Sequence, residues 1–142
     1  MMRSINILLV EDNEGDIVLT KEAFEESTLI DKIQVIRDGK EAIRFFEKLD
    51  ERTPDKPNLV LLDVNLPKIN GHDVLKFIKT HNKHKSIPVI MLTTSSAERD
   101  IMQSYENHVN CYITKPIDMN DFVSAMAKVE DFWINIVSVP AK

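Results

Sequence analysis

Glu11-Asp12, Asp63, Thr93 and Lys115 each stand where an apolar run gives out; the runs are 7–10, 59–62, 88–92 and 111–114. Three carboxylates brought into one shallow pocket repel one another. Two unit charges about 4 Å apart cost on the order of 4 kcal/mol near a protein surface. A hard cation relieves that repulsion. Mg²⁺ suits oxygen ligands and keeps several waters, so two carboxylates and one main-chain carbonyl suffice. Asp12 and Asp63 are the expected direct ligands, the Asn65 carbonyl is the third, and Glu11 acts through water. Asp63 is then placed to act as a nucleophile towards phosphorus and form an acyl phosphate. Mg²⁺ and the Lys115 ammonium would neutralise the phosphoryl oxygens, and the Thr93 hydroxyl would donate to one of them.

For these groups to meet, their runs must be neighbouring strands that share an edge. Leu59-Val60-Leu61-Leu62 has no polar alternation and reads as a strand buried on both faces, central in a parallel sheet. Pro67 and Asn70-Gly71 then break the chain into a loop. Asp63 therefore lies at the carboxyl end of a central strand, the edge where open α/β sheets bind ligands.

The first strand is expected over Ile5 to Val10, followed by a polar turn in which Asp16 is a helix N-cap. Ile17, Val18, Leu19, Ala23 and Phe24 give helical spacing as far as about Glu26. A second, short strand spans 33–36, and Asp38-Gly39 is a turn. Ala42, Ile43, Phe45, Phe46 and Leu49 form the apolar side of a second helix. The charged loop 50–58, with Pro54 and Pro57, is a surface insertion.

Val74, Leu75, Phe77 and Ile78 mark a third helix. The fourth strand is expected over 88–92, and a fourth helix over 97–107 is thinly apolar, with Ile101, Met102 and Tyr105. Cys111 to Thr114 is a fifth strand closed by Lys115-Pro116. Asp118 caps a last helix striped with Phe122, Val123, Met126, Val129, Phe132, Trp133 and Ile136. Five strand-then-helix units imply an α/β fold: a doubly wound parallel sheet with helices on both faces. Right-handed crossovers leave few topologies. The order 2-1-3-4-5 is adopted from known flavodoxin-like sheets, not read from spacing.

The 142 residues suit one domain, expected to span 1–142 with its core over 5–136 and no output domain. Hydrophobic content of 43% with 29% charged residues is that of an ordinary globular chain. With 18 Lys+Arg against 23 Asp+Glu the net charge is -5, which argues against nucleic acid or an anionic membrane as partner. One cysteine, Cys111, excludes an internal disulfide and fits a reducing compartment. The apolar run 7–10 is too short for a signal peptide or a span, so a cytoplasmic protein is expected.

Glu11-Asp12 after strand one, Asp63-x-x-Leu66-Pro67-x-x-Asn70-Gly71, Thr93 after strand four and Lys115-Pro116 after strand five together resemble a response-regulator receiver domain. Each piece alone is weak; four in order on the right elements are specific. The resemblance covers about residues 5 to 136. It implies a CheY-like three-layer sandwich and a stand-alone two-component response regulator. Asp63 would accept the phosphoryl group from the phosphohistidine of a sensor histidine kinase. Glu11, Asp12, Asp63 and the Asn65 carbonyl would hold Mg²⁺, Lys115 would contact the phosphoryl group, and Thr93 would move to bond it. The implied activity is self-catalysed phosphotransfer and autodephosphorylation, without turnover as an enzyme. Tyr112 lies where the family often has an aromatic switch, and Pro116 would follow a cis bond. Ile117 departs from the Phe of many receivers, a difference of packing.

A narrower likeness rests on Glu11-Asp12-Asn13-x-Gly15-Asp16, the proline-bearing loop before strand three, and Phe132-Trp133. These are similar to single-domain regulators paired with bacterial phytochromes. That likeness implies a phytochrome-type kinase and a homodimer through the fourth helix, fifth strand and last helix.

Blander readings exist for each residue taken singly. Asp63 could cap a helix, Glu11-Asp12 could be a solvated strand end, Lys115 a surface lysine, Thr93 a hydroxyl satisfied by backbone, and Tyr112 a half-buried edge tyrosine. His72, His81, His84 and His108 have no metal-ligand spacing. A phosphohydrolase with an aspartyl nucleophile needs an acid two residues on, where this chain has Asn65. A flavin or dinucleotide carrier is disfavoured too, because Glu11-Asp12 would repel phosphate and no glycine-rich fingerprint exists. The remaining alternative is a degenerate receiver that works as an interaction module without phosphorylation.

Overall fold

The computed structural model describes residues 5–25, 27–28, 30–50, 56–94 and 111–128. Within them lie β1 (Ile5–Val10), α1 (Glu14–Phe24), β2 (Ile30–Ile36), α2 (Gly39–Lys48), β3 (Leu59–Asp63), α3 (Gly71–Thr80), β4 (Val89–Thr93), β5 (Cys111–Thr114) and α4 (Met119–Lys128). The five strands form one parallel sheet in the order β2-β1-β3-β4-β5. The expected helix over 97–107, the loop residues 51–55 and the apolar stripe beyond residue 128 lie outside the described residues. Among the described residues, no helix is long and apolar enough to cross a membrane.

Side-chain alternation along each strand divides the core in two. Ile5, Ile7, Leu9, Leu59, Leu61, Ile90, Leu92, Cys111 and Ile113 pack with Ile17 and Phe24 of α1 and with Phe122 and Ala125 of α4. Their neighbours Leu8, Val10, Val60, Leu62, Val89, Met91 and Tyr112 pack on the other face with Ala42 and Phe46 of α2 and with Val74, Leu75 and Ile78 of α3. All five residues of β3 are buried, as a strand with helices on both sides requires. Ile117 is buried in the α1–α4 half of the core.

Several local expectations change. Asn13, not Asp16, caps α1: its Oδ1 accepts from the Asp16 N–H at 2.9 Å. An N-cap side chain reaches the third residue of the helix, which puts Asp16 inside the first turn. Val18 and Leu19 are 46% and 48% exposed. At a period of 3.6, Ile17, Thr20 and Phe24 already fill the stripe that faces the sheet, so those two neighbours point outward. Val123 of α4 is likewise 43% exposed, while Phe122 and Ala125 face the core. β2 starts at Ile30 because its pairing with β1 continues, past a register shift, to Ile5. β4 runs one residue later than its apolar pattern suggests and includes Thr93.

Two glycines bring the loops close to the carboxyl edge. A Cβ on Gly71 would stand 2.2 Å from the Asp63 carbonyl oxygen. One on Gly39 would stand 2.1 Å from the carbonyl oxygen of Ile69. Their bare Cα atoms let α3 and α2 start hard against the end of β3 and the loop that follows it.

Candidate functional site

Alternation explains which side of the sheet edge the charged groups share. Glu11, Asp63 and Lys115 continue the odd-numbered rows of β1, β3 and β5, the rows that face α1. The Glu11 N–H donates to the Ile36 carbonyl at 2.9 Å, and the Lys115 N–H to the Thr93 carbonyl at 2.7 Å, so both main chains are fixed as the strands end. The Val64 N–H donates to the Leu92 carbonyl at 3.0 Å and carries the β3–β4 ladder one step past Asp63. The peptide between Lys115 and Pro116 is cis.

The Lys115 ammonium is the centre of the cluster. Its Nζ lies 2.9 Å from Glu11 Oε1, 2.8 Å from Asp16 Oδ2 and 3.4 Å from Asp63 Oδ1. Asp63 Oδ1 also accepts from the Asn65 N–H at 3.3 Å. Glu11 Oε2 accepts from the Asn13 N–H at 3.2 Å. Glu11 and Asp63 are buried, Asp12 is exposed, and Thr93 is wholly buried at the end of β4. Tyr112 is buried on the α2–α3 face, not half-exposed at an edge.

Burial pushes the Glu11 carboxyl up from 4.5 to about 7; the Lys115 hydrogen bond opposes this and Asp63 adds to it. Burial by itself would lower Lys115, yet hydrogen bonds to Asp16 and Glu11 and the charge of Asp63 outweigh it and raise the ammonium above its ordinary value. Lys115 lies among three acids, so among the described residues the cluster is short of positive charge.

Glu11, Asp12 and Asp63 offer carboxylate oxygens that all lie within 4.8 Å of one another. One octahedral Mg²⁺ shell is roughly 4 Å across, so a small contraction brings all three onto one ion or its waters. The all-oxygen donor set and the shortfall of positive charge both suit a hard divalent cation.

Residues 7–127 match the profile of the response regulator receiver domain. This chain belongs to the receiver-domain family. It is 43% identical over 136 residues to Response regulator Rcp1 of Synechocystis sp. (strain ATCC 27184 / PCC 6803 / Kazusa), covering 95% of this chain and 92% of that protein. The solved Mn²⁺-bound form of Rcp1 is similar to it with a TM-score of 0.68 at 45% identity, over 95% of this chain and 98% of that one. The bacteriophytochrome response regulator AtBRR matches with a TM-score of 0.81 at 39% identity, over 92% and 96% of the two chains. The phosphorylated cyanobacterial phytochrome response regulator RcpA matches with a TM-score of 0.71 at 41% identity, over 97% and 99%. This receiver domain is thus a phosphoacceptor of two-component signalling. Receiver domains are phosphorylated by histidine kinases and bind Mg²⁺ or Mn²⁺ at an acidic pocket, and this chain has such a pocket.

The structure brings Glu11, Asp12, Asp63 and Lys115 of the receiver together and sets Thr93 at the next strand end. Asn65 opens the loop after β3, with its N–H on Asp63. Sequence reasoning missed Asp16, which it used as a cap. The signal was present: an acid three residues after a capping Asn lies on the inner first turn of a helix that covers this edge.

Proposed function

We propose that Asp63 is the phosphoacceptor of a response regulator driven by a sensor histidine kinase, with Mg²⁺ as its cation. The observation that carries this reading is the convergence of Lys115 with Glu11 and Asp63 at the buried end of β3. An Asp63 carboxylate oxygen attacks phosphorus, the P–N bond of the phosphohistidine breaks, a P–O bond forms, and the released imidazole nitrogen takes a proton. Glu11, Asp12, Asp63 and the Asn65 carbonyl would hold Mg²⁺, which would supply positive charge to the phosphoryl oxygens. Lys115 supplies the protein's own charge to the same oxygens, and Thr93, moving inward, donates a hydrogen bond. The chain carries out phosphotransfer to itself and its own dephosphorylation and turns over no other substrate.

The likeness to AtBRR and RcpA, described as bacteriophytochrome and phytochrome response regulators, supports a phytochrome-type kinase as partner. Output follows from a population shift of the face that carries β5 and α4, with Tyr112 as the switch and homodimerisation through that face. The protein acts in the cytoplasm and contacts neither nucleic acid nor membrane. Incubation with acetyl phosphate tests the acceptor reading. Intact mass is expected to rise by one phosphoryl group with Mg²⁺ and to stay unchanged with EDTA. A folded protein that never gains the mass would be a degenerate receiver.

A further inference from the structure

We propose that Asp16 is a positioning residue: it holds the Lys115 ammonium in reserve in the unphosphorylated protein and releases it when Asp63 is loaded. The inference rests on Asp63 being the acceptor and assigns a role to a residue outside the metal and phosphoryl set.

Glu11, Asn13, Asp16 and Lys115 form a closed ring of interactions. The Asn13 N–H donates to Glu11 Oε2, Asn13 Oδ1 accepts from the Asp16 N–H, and Lys115 Nζ donates to both Asp16 Oδ2 and Glu11 Oε1. The Asp16 carbonyl accepts from Thr20 Oγ1 at 2.8 Å. The Asp16 main chain is therefore held on both sides, and its side chain reaches Lys115 from a fixed base. At rest the ammonium sits closer to Glu11 and Asp16 than to Asp63, at 2.9 and 2.8 Å against 3.4 Å.

The three acids differ in what water can do for them. Side-chain exposure is 1% for Glu11, 3% for Asp63 and 29% for Asp16. An acyl phosphate at Asp63 carries nearly two negative charges where the carboxylate carried one, and becomes the strongest partner for Lys115. To reach it, the ammonium must slacken one of its present bonds. Freeing Glu11 would take the ammonium and its hydrogen bond from a carboxylate buried away from water, the costlier loss. Freeing Asp16 hands a part-exposed carboxylate to solvent, which costs little. Asp16 is thus the partner that Lys115 leaves.

Removing the tether frees Lys115 in advance. With saturating Mg²⁺ and acetyl phosphate, Asp16→Asn is expected to gain the phosphoryl mass about two- to fivefold faster than wild type, the size of a part-exposed ion pair. Asp16→Glu, which keeps the charge, is expected to restore the wild-type rate. In a Lys115→Met background, Asp16→Asn is expected to change nothing, because Asp16 acts only through Lys115.

A resonance of the Lys115 ¹⁵Nζ gives a readout that does not depend on rate. It is expected to shift when Mg²⁺ and beryllofluoride are added to wild type, and to lie already part-way to that position in resting Asp16→Asn. The inference is overturned if Asp16→Asn is labelled at the wild-type rate or slower. It is also overturned if its effect survives in the Lys115→Met background, or if the resting resonance does not move. Wild-type protein that takes no label at all overturns the reading of Asp63 as well, which separates the two failures.

Discussion

Two lysines of this chain are withdrawn from water at opposite ends of the sheet, and their partners differ in kind. Lys115, at the carboxyl edge, is set among Glu11, Asp16 and Asp63. Lys79, near the end of α3 at the amino edge, donates to the carbonyls of Lys85 and Ile87 at 3.2 and 2.7 Å. Burial lowers Lys79 from 10.5 to about 8, whereas the acids raise Lys115. Close by, the His84 Nε2 bonds the Phe46 carbonyl at 2.7 Å and its ring stacks on His81. The amino edge thus uses neutral dipoles to fasten a turn to α3. Among the described residues, the carboxyl edge gathers more negative charge than Lys115 neutralises, which is wasteful for folding and suits a site for a metal and a phosphoryl group.

Replacing each lysine by methionine in turn separates the two edges. Lys115→Met is expected to slow labelling by acetyl phosphate on the order of a hundredfold, the effect of losing one preorganised charge. Lys79→Met is expected to leave labelling within about twofold and to cost about 1–2 kcal/mol of stability in urea titrations, from its lost hydrogen bonds. Equal labelling defects in both would erase the distinction.

Gly71→Ala tests how closely the carboxyl edge is built. The new Cβ meets the Asp63 carbonyl at 2.2 Å. The loop must move, at about 1–3 kcal/mol by chemical denaturation, and a loss below that range would mean a looser edge.

Acid–base behaviour should carry opposite signs at the two edges. Glu11 stands at about 7 in the fold against 4.5 free. Its neutral form is the comfortable one, so its contribution to metal-free stability is full below 4.5 and is lost as pH rises through 7. The rise in melting temperature produced by Mg²⁺ is therefore expected to grow across that window and level off above it, and Glu11→Gln should flatten it. Lys79, lowered to about 8 from 10.5, favours the fold more as pH climbs between those values. Lys79→Met should remove that slope.

The sheet was legible because its strands are near-continuous apolar runs that end in charge, and such runs have few ways to be buried. Asp63, Lys115 and Thr93 were legible for the same reason: each directly follows or closes a run. Asp16 was not, because its partner Lys115 lies far along the chain and its own position reads equally well as a cap. Val18 and Leu19 misled because five apolar residues in eight positions overfill one helix stripe, and only packing decides which stay inside. Gly71 and Gly39 read as turn residues; that each is needed for close approach to a carbonyl is visible only in three dimensions.

The central claim, that Asp63 carries the phosphoryl group, has a direct chemical test. Borohydride reduces an aspartyl phosphate to homoserine and leaves free carboxylates alone. After reaction with acetyl phosphate and Mg²⁺, reduction and peptide mapping should place homoserine at position 63 and nowhere else. Homoserine at Glu11's neighbour Asp12 or at Asp16, or none in a protein that has gained the phosphoryl mass, would contradict the account.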